Sequence, residues 1–359
     1  MHPTRKMEIT TPALLIDLDK LEANIGKMAD FFRDKAANVR PMFKTPKCVP
    51  IAQMQIKAGA QGITCAKVSE AEVLVKGGIR DILIANQVVG PDKIARLMDL
   101  VKLSDVKCAV DDPLHVTALS EAASAAGVEA GVLIEINVGL PRCGVRPGSA
   151  VDLAKQIMAA PGLELRGIMG YEGHLVFNED REVRKTETEK AMADLVSTAD
   201  AIREAGMPCE IVSGGGTGTY DITGSFPGIT EVQAGSYVMM DIRYDKLDLG
   251  FEKAVTILAS VQSRALPGWA IIDAGIKVMS TDFGLPEPIG LPGVKLAFLS
   301  EEHGSLKVQD TGMDLTIGDK IEFYPSHVCT TVNLHDRLYA LRGDVVEAVW
   351  PISGRGCSQ

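Results

Sequence analysis

The sequence predicts a (β/α)8 barrel followed by a C-terminal β-rich domain, and three observations carry that expectation. Eight short apolar runs alternate with amphipathic segments over about 200 residues, the rhythm of a closed parallel barrel. Around Asp248 this alternation stops, and strand-like runs separated by Gly, Pro and Asp take over. With 359 residues and 46% hydrophobic content, the chain can fill both cores. The expected domains are 12–247 and 248–359. An open doubly wound sheet is the runner-up for the first of them, because periodicity does not show closure.

Taken in order, residues 13–18 form a continuous apolar run and read as a buried strand. The helix after it sets Leu21, Ile25, Met28 and Phe32 on one face of a ~3.6-residue period, and Asp19 with Glu22 has capping-box spacing. The eight barrel strands are expected at 39–44, 62–67, 81–86, 107–111, 131–138, 165–171, 210–213 and 231–235. Between them lie helical segments such as 69–76, where Ser69 and Glu72 repeat the capping-box spacing and Gly77 supplies a stop. In the second domain the strand-like runs are 254–262, 269–273, 294–299, 306–309, 320–324, 338–342 and 345–350.

Composition narrows the function. The net charge of -10 and the lack of a basic block argue against nucleic-acid binding. Seven cysteines without CxxC spacing fit a reducing cytoplasm, where a free thiol serves as a small hydrophobe. Residues 1–6 are not followed by an apolar export core, and no apolar run reaches the ~18 residues of a membrane span. The expected protein is soluble, unexported and cytoplasmic.

In a (β/α)8 barrel the chemistry lies at the C-terminal ends of the strands. Lys44 closes the first strand, and a lysine there suits Schiff-base chemistry, although Lys44 and Lys47 also fit two solvated loop residues. The run Gly214-Gly215-Gly216-Thr217-Gly218 ends the seventh strand, where converging N–H groups and the Thr217 hydroxyl suit an anion. Gly235-Ser236-Tyr237 ends the eighth, and loops seven and eight commonly hold a phosphate in this fold. Arg142 follows the fifth strand, and Tyr171, Glu172 and His174 follow the sixth. In the second domain His327 and Cys329 are two apart. On a strand both would face one metal ion; a core histidine beside a buried cysteine is the plain alternative.

In this order, Arg40-Pro41-Met42-Phe43-Lys44-Thr45, Arg142-Cys143-Gly144, the glycine run 214–218, Gln233-Ala234-Gly235-Ser236-Tyr237, Asp273-Ala274-Gly275, Glu302-His303-Gly304 and His327-Val328-Cys329 resemble the D-threonine aldolase and metal-activated D-serine dehydratase family. The resemblance runs from Thr11 onward. It implies the alanine-racemase-like fold, a barrel that binds pyridoxal 5'-phosphate followed by a β domain, assembled as a homodimer with active sites at the subunit interface. It further implies that Lys44 carries the cofactor in a Schiff-base linkage. Gly215, Gly216, Thr217, Gly218, Gly235, Ser236 and Tyr237 would hold its phosphate, Arg142 would sit near its phenolic oxygen, and Tyr171 would line ring and substrate. His327 and Cys329 match the divalent-metal pair.

The implied reaction is cleavage of a D-3-hydroxy-amino acid to glycine and an aldehyde, with dehydration to a keto acid and ammonia as the alternative. Family members usually carry histidine two residues before the lysine, where this chain has Met42, so the base falls to His174 or to metal-bound water. Many of the aldolases carry aspartate where this chain has Cys329, and a thiolate moves metal preference from Mn2+ or Mg2+ toward Zn2+. A racemase would need a second base, which the sequence does not identify. A non-catalytic pyridoxal-phosphate carrier on the same barrel would lack residues 250–359.

Overall fold

The computed structural model describes residues 4–309 and 315–359. The first three residues of the stretch that was read as carrying no export core lie outside it. Contacts group the chain into two units whose sequences interleave. One comprises the chain through Gly26, Thr45–Cys48 and Ser236–Gly356; the other comprises Lys27–Lys44, Val49–Gly235 and Cys357–Gln359.

The first strand, β1 (Ala13–Asp17), runs straight into α1 (Leu18–Phe32). Asp17 makes this abrupt start possible: its Oδ1 accepts the N–H groups of Asp19 at 3.0 Å and Lys20 at 3.2 Å, two of the donors a helix start leaves without partners. The expected cap at Asp19 is therefore corrected. The chain turns helical two residues too early for Asp19 to sit over those donors, and both Asp19 and Glu22 instead meet the Arg342 guanidinium. Leu21, Ile25, Met28 and Phe32 are buried, as their period predicts.

The barrel follows in a regular alternation: β2 (Asn38–Val39), α2 (Val49–Lys57), β3 (Ile63–Cys65), α3 (Val68–Lys76), β4 (Asp81–Gln87), α4 (Pro91–Val101), β5 (Asp105–Val110), α5 (Pro113–Ala126), β6 (Ala130–Glu135), α6 (Ala150–Ala159), β7 (Leu163–Gly170), α7 (Arg181–Glu204), β8 (Ile211–Gly214), α8 (Tyr220–Thr223) and β9 (Glu231–Val232). Its eight strands are parallel and neighbour one another in the order β2-β9-β8-β7-β6-β5-β4-β3. The ring closes just beyond β2, where Met42 bridges Thr64: Phe43 N–H donates to the Thr64 carbonyl at 2.7 Å and Thr64 N–H to the Pro41 carbonyl at 2.8 Å. The open sheet is thereby excluded. Ser69 does not cap α3; its hydroxyl donates to the Gln359 carbonyl, while Glu72 binds Arg96.

Side-chain alternation stacks the interior in layers. Arg40, Asp81, Lys107 and Glu231 form a charged floor. Above it Leu83, Ala109, Leu133, Met169 and Ile211 pack as one apolar cluster. Towards the C-terminal ends of the same strands come the polar residues Gln87, Glu135 and Ser213, with Tyr171 just past β7.

The other unit continues with α9 (Ile242–Asp245), β10 (Val255–Ser263), β11 (Trp269–Ile272), β12 (Glu287–Pro288), β13 (Val294–Leu299), β14 (Gly304–Val308), β15 (Lys320–Tyr324), α10 (Val328–Val332), β16 (Arg337–Arg342) and β17 (Val345–Pro351). All seven expected runs are strands, and the two-residue β12 joins them on β15. β1 belongs to this sheet, antiparallel to β10 and parallel to β16. Among the described residues, no helix is long and apolar enough to cross a membrane.

Candidate active site

Arg40 and Met42 are two apart along the first barrel strand and its extension, and Lys44 lies two residues beyond the Met42 bridge. The strand is shorter than the expected 39–44. After the Met42 bridge the chain turns, and Lys44 sits exposed in that turn at the C-terminal end of the barrel.

The loops that follow β6, β7 and β8 supply the other barrel residues. Arg142 is half exposed; its Nη2 lies 3.5 Å from Glu135 Oε1 and its guanidinium carbon 5.4 Å from the centroid of the Tyr171 ring. Burial pushes the Glu135 carboxyl up, against the hydrogen bond from Gln87 at 2.6 Å and the charge of Arg142. Asp111, Glu135 and Cys143 cluster here, with ligand atoms within 4.8 Å of one another. His174 lies exposed in the turn after Tyr171, against the Gly139 loop.

The glycine run is pressed into its surroundings. A Cβ on Gly218 would lie 1.9 Å from the Val176 carbonyl oxygen, and Gly215 has φ +75°, so neither position accepts a side chain readily. Behind the run lies Glu172, with no exposed surface. It accepts the N–H of Gly215 at 3.1 Å and the hydroxyls of Thr219 at 2.6 Å and Thr223 at 2.9 Å. Thr219 Oγ1 in turn accepts the N–H of Gly216 at 3.1 Å.

In the other unit, Ser236 and Tyr237 are buried at its entry from Gly235. His327 and Cys329 do not lie on a strand, which corrects that expectation. β15 ends at Tyr324, His327 is the N-cap of α10, and Cys329 lies in its first turn. The two side chains nonetheless meet. Burial lowers the affinity of His327 for a proton, but the hydrogen bonds and charges of Cys329 and Asp282 outweigh it and push the imidazole up to about 9. Its Nδ1 contacts Asp282 Oδ2 at 2.5 Å, and its ring stacks on Phe283 with centroids 4.1 Å apart. The Cys329 sulfur lies 3.2 Å from Thr45 Oγ1 and 3.9 Å from Ser236 Oγ. Between the two, Val328 N–H donates at 3.0 Å to Asp241, a buried carboxylate that also accepts the N–H of Tyr244 at 2.9 Å.

Glu172, Asp241 and Asp282 thus have roles that the sequence reading did not assign. Glu172 stood beside Tyr171 in the sequence without a partner to explain it. For Asp241 and Asp282 no spacing signal exists, since their partners are 87 and 45 residues away.

The arrangement fits both groups that the resemblance implies. A tight glycine turn with a buried threonine hydroxyl suits a phosphate. An imidazole whose Nδ1 is held by a carboxylate, beside a thiol, offers two donors that suit a divalent metal.

Comparison with known proteins agrees over the whole chain. The family described as alanine racemase, N-terminal domain, matches residues 16–242, and a putative serine dehydratase domain matches residues 254–341. A 3-hydroxy-D-aspartate aldolase of Paracoccus denitrificans (strain Pd 1222) is 40% identical, covering 97% of this chain and 93% of its own. A D-threo-3-hydroxyaspartate dehydratase of Delftia sp. (strain HT23) is 31% identical over 96% of this chain and 97% of its own. Among solved structures, the D-threonine aldolase of Filomicrobium marinum superposes with a TM-score of 0.96 at 40% identity, covering 99% of this chain and 98% of that one.

Proposed function

The chain belongs to the alanine racemase N-terminal domain family, among its D-threonine aldolase and 3-hydroxy-D-aspartate aldolase relatives, and on that premise we propose that it is a lyase that cleaves D-3-hydroxy-amino acids to glycine and an aldehyde. The near full-length identity to an aldolase carries this reading; the place of Lys44 at the end of the first barrel strand supports it.

Pyridoxal 5'-phosphate, when bound, supplies the electron sink for charge left on Cα, and a divalent metal supplies a Lewis acid for the β-hydroxyl. Lys44 would anchor the cofactor through its amine. Gly215, Gly216, Thr217, Gly218 and the Gly235-Ser236-Tyr237 turn would hold its phosphate, Arg142 would serve its phenolic oxygen, and Tyr171 would line ring and substrate. His327 and Cys329 would hold the metal, with Asp282 orienting the imidazole through Nδ1. His174 takes the β-hydroxyl proton as the Cα–Cβ bond breaks, the role that Met42 cannot fill. The second reading, a dehydratase, rests on the Cys329 thiol and on the Delftia relative. In it Lys44 takes the Cα proton and hydroxide leaves Cβ.

The two family matches support a modular division at 12–247 and 248–359. We expect a homodimer, to be checked by light scattering, and a reducing cytoplasmic setting, in keeping with seven cysteines that lack CxxC spacing.

The deciding experiment incubates purified protein and cofactor with D-threonine, D-phenylserine, D-serine and D-3-hydroxyaspartate, with and without chelator. Glycine plus aldehyde is the expected result. Ammonia plus keto acid would replace the aldolase reading with the dehydratase, and turnover indifferent to chelator would remove the metal from His327 and Cys329. Lys44→Ala is expected to abolish both turnover and the visible band of bound cofactor.

A further inference from the structure

The glycine run places one group at its centre that the reading above leaves without a task. Glu172 is wholly buried at the end of β7, and no salt bridge to it is found among the described residues. Its three bonds come from a backbone N–H and two hydroxyls. Only an acceptor-only group can satisfy three donors at once, which explains a carboxylate here in place of an amide. Through Thr219 the same network reaches a fourth group: the Thr219 hydroxyl donates to Glu172 while its oxygen accepts the N–H of Gly216.

We propose that Glu172 is the positioning residue of the phosphate turn: it turns the N–H groups of Gly215 and Gly216 inward and so presents Thr217 and Gly218 to the anion. This rests on the cofactor assignment above and goes beyond it. It divides the run 215–218, expected from the sequence to bind phosphate as a whole, into two residues that are held and two that grip. Preorganised backbone donors bind an anion without reordering the loop, and a glycine turn released from Glu172 would have to be ordered by the ligand itself. The contribution is therefore to phosphate recognition and not to the aldehyde end of the cofactor.

The test compares two ligands, pyridoxal 5'-phosphate and unphosphorylated pyridoxal, titrated by visible absorbance onto the cofactor-stripped protein. In Thr219→Val and in Glu172→Gln, affinity for pyridoxal 5'-phosphate is expected to fall about tenfold and affinity for pyridoxal less than about twofold. Glu172→Ala should fall further than Glu172→Gln, which keeps one acceptor oxygen for Gly215. The double variant Thr219→Val with Glu172→Gln should be no worse than about the lower single variant, because both act on one network. Circular dichroism and thermal midpoint identify a variant that fails to fold; Thr219→Val removes one hydroxyl and carries the test if Glu172→Ala does not fold. Equal losses for the two ligands, or an unchanged ratio in folded variants, overturn the proposal. A wild-type protein that shows no band with pyridoxal 5'-phosphate would instead overturn the cofactor assignment itself.

Discussion

Replacing Arg40 by methionine tests the charged floor of the barrel. Arg40 is 1% exposed and donates four hydrogen bonds: Nε and Nη2 to Glu231 at 2.9 and 2.6 Å, Nη1 and Nη2 to Asp81 at 2.6 and 3.2 Å. Glu231 has no exposed surface, whereas Asp81 keeps Lys107 at 2.8 Å. The variant therefore leaves one carboxylate in the dry interior without its cation, a loss of about 3–5 kcal/mol. At about 2 °C per kcal/mol for a chain of this size, the thermal midpoint should drop by roughly 6–10 °C. The double variant Arg40→Met with Glu231→Met removes both charges and should recover most of that loss, since an apolar pair of similar volume replaces a buried ion pair at little cost. Burial raises the Asp81 carboxyl, but Arg40 and Lys107 more than offset it and hold it below the usual carboxylate range. A depressed value means stability that is complete above the unfolded-state pKa, ~3.9, and is lost as pH falls through the folded value, so the gap between wild type and Arg40→Met should narrow in acid. A double variant no more stable than Arg40→Met, or a gap that widens in acid, would refute the reasoning.

Other outcomes follow from contacts already described. Asp282→Asn, which removes the carboxylate from His327 Nδ1, should weaken metal affinity about 10- to 100-fold by isothermal titration while the fold holds. Asp241→Ala removes the acceptor from both Val328 and Tyr244 and should cost about 1–2 kcal/mol in urea unfolding, with Asp241→Asn losing less. Asp17→Ala should lose ~1 kcal/mol as the cap of α1, and Asp19→Ala, on the exposed side of the first turn, less than about half as much.

The sequence reading succeeded where a residue's neighbours along the chain decide its fate. The barrel strands alternate with helical segments, and that rhythm is local. It failed where the deciding partner is distant. Asp19 and Asp17 both offer a carboxylate near the start of α1, and only the point at which β1 releases the chain selects Asp17. His327-Val328-Cys329 has the alternation of a strand, but Asp241 draws the Val328 N–H into the first turn of a helix. Residues 13–18 read correctly as a strand, yet their sheet depends on partners near 258 and 338. The glycine run stands out in the sequence because its type is unusual in a row. Which of its N–H groups meet Glu172 and Thr219 does not, because that depends on the fold.

The pairing of β1 has a bearing on how the chain is made. This strand is an interior member of its sheet, with β10 on one side and β16 on the other, and those partners begin at Val255 and Arg337. During synthesis β1 must therefore wait for most of the polypeptide before either edge is covered, and β2 likewise waits for β9, while β4 to β9 each find the preceding strand already made. An apolar strand with two unpaired edges is a template for association with other chains. A chaperone that covers β1 until Val255 has been made should therefore raise the soluble yield of this protein.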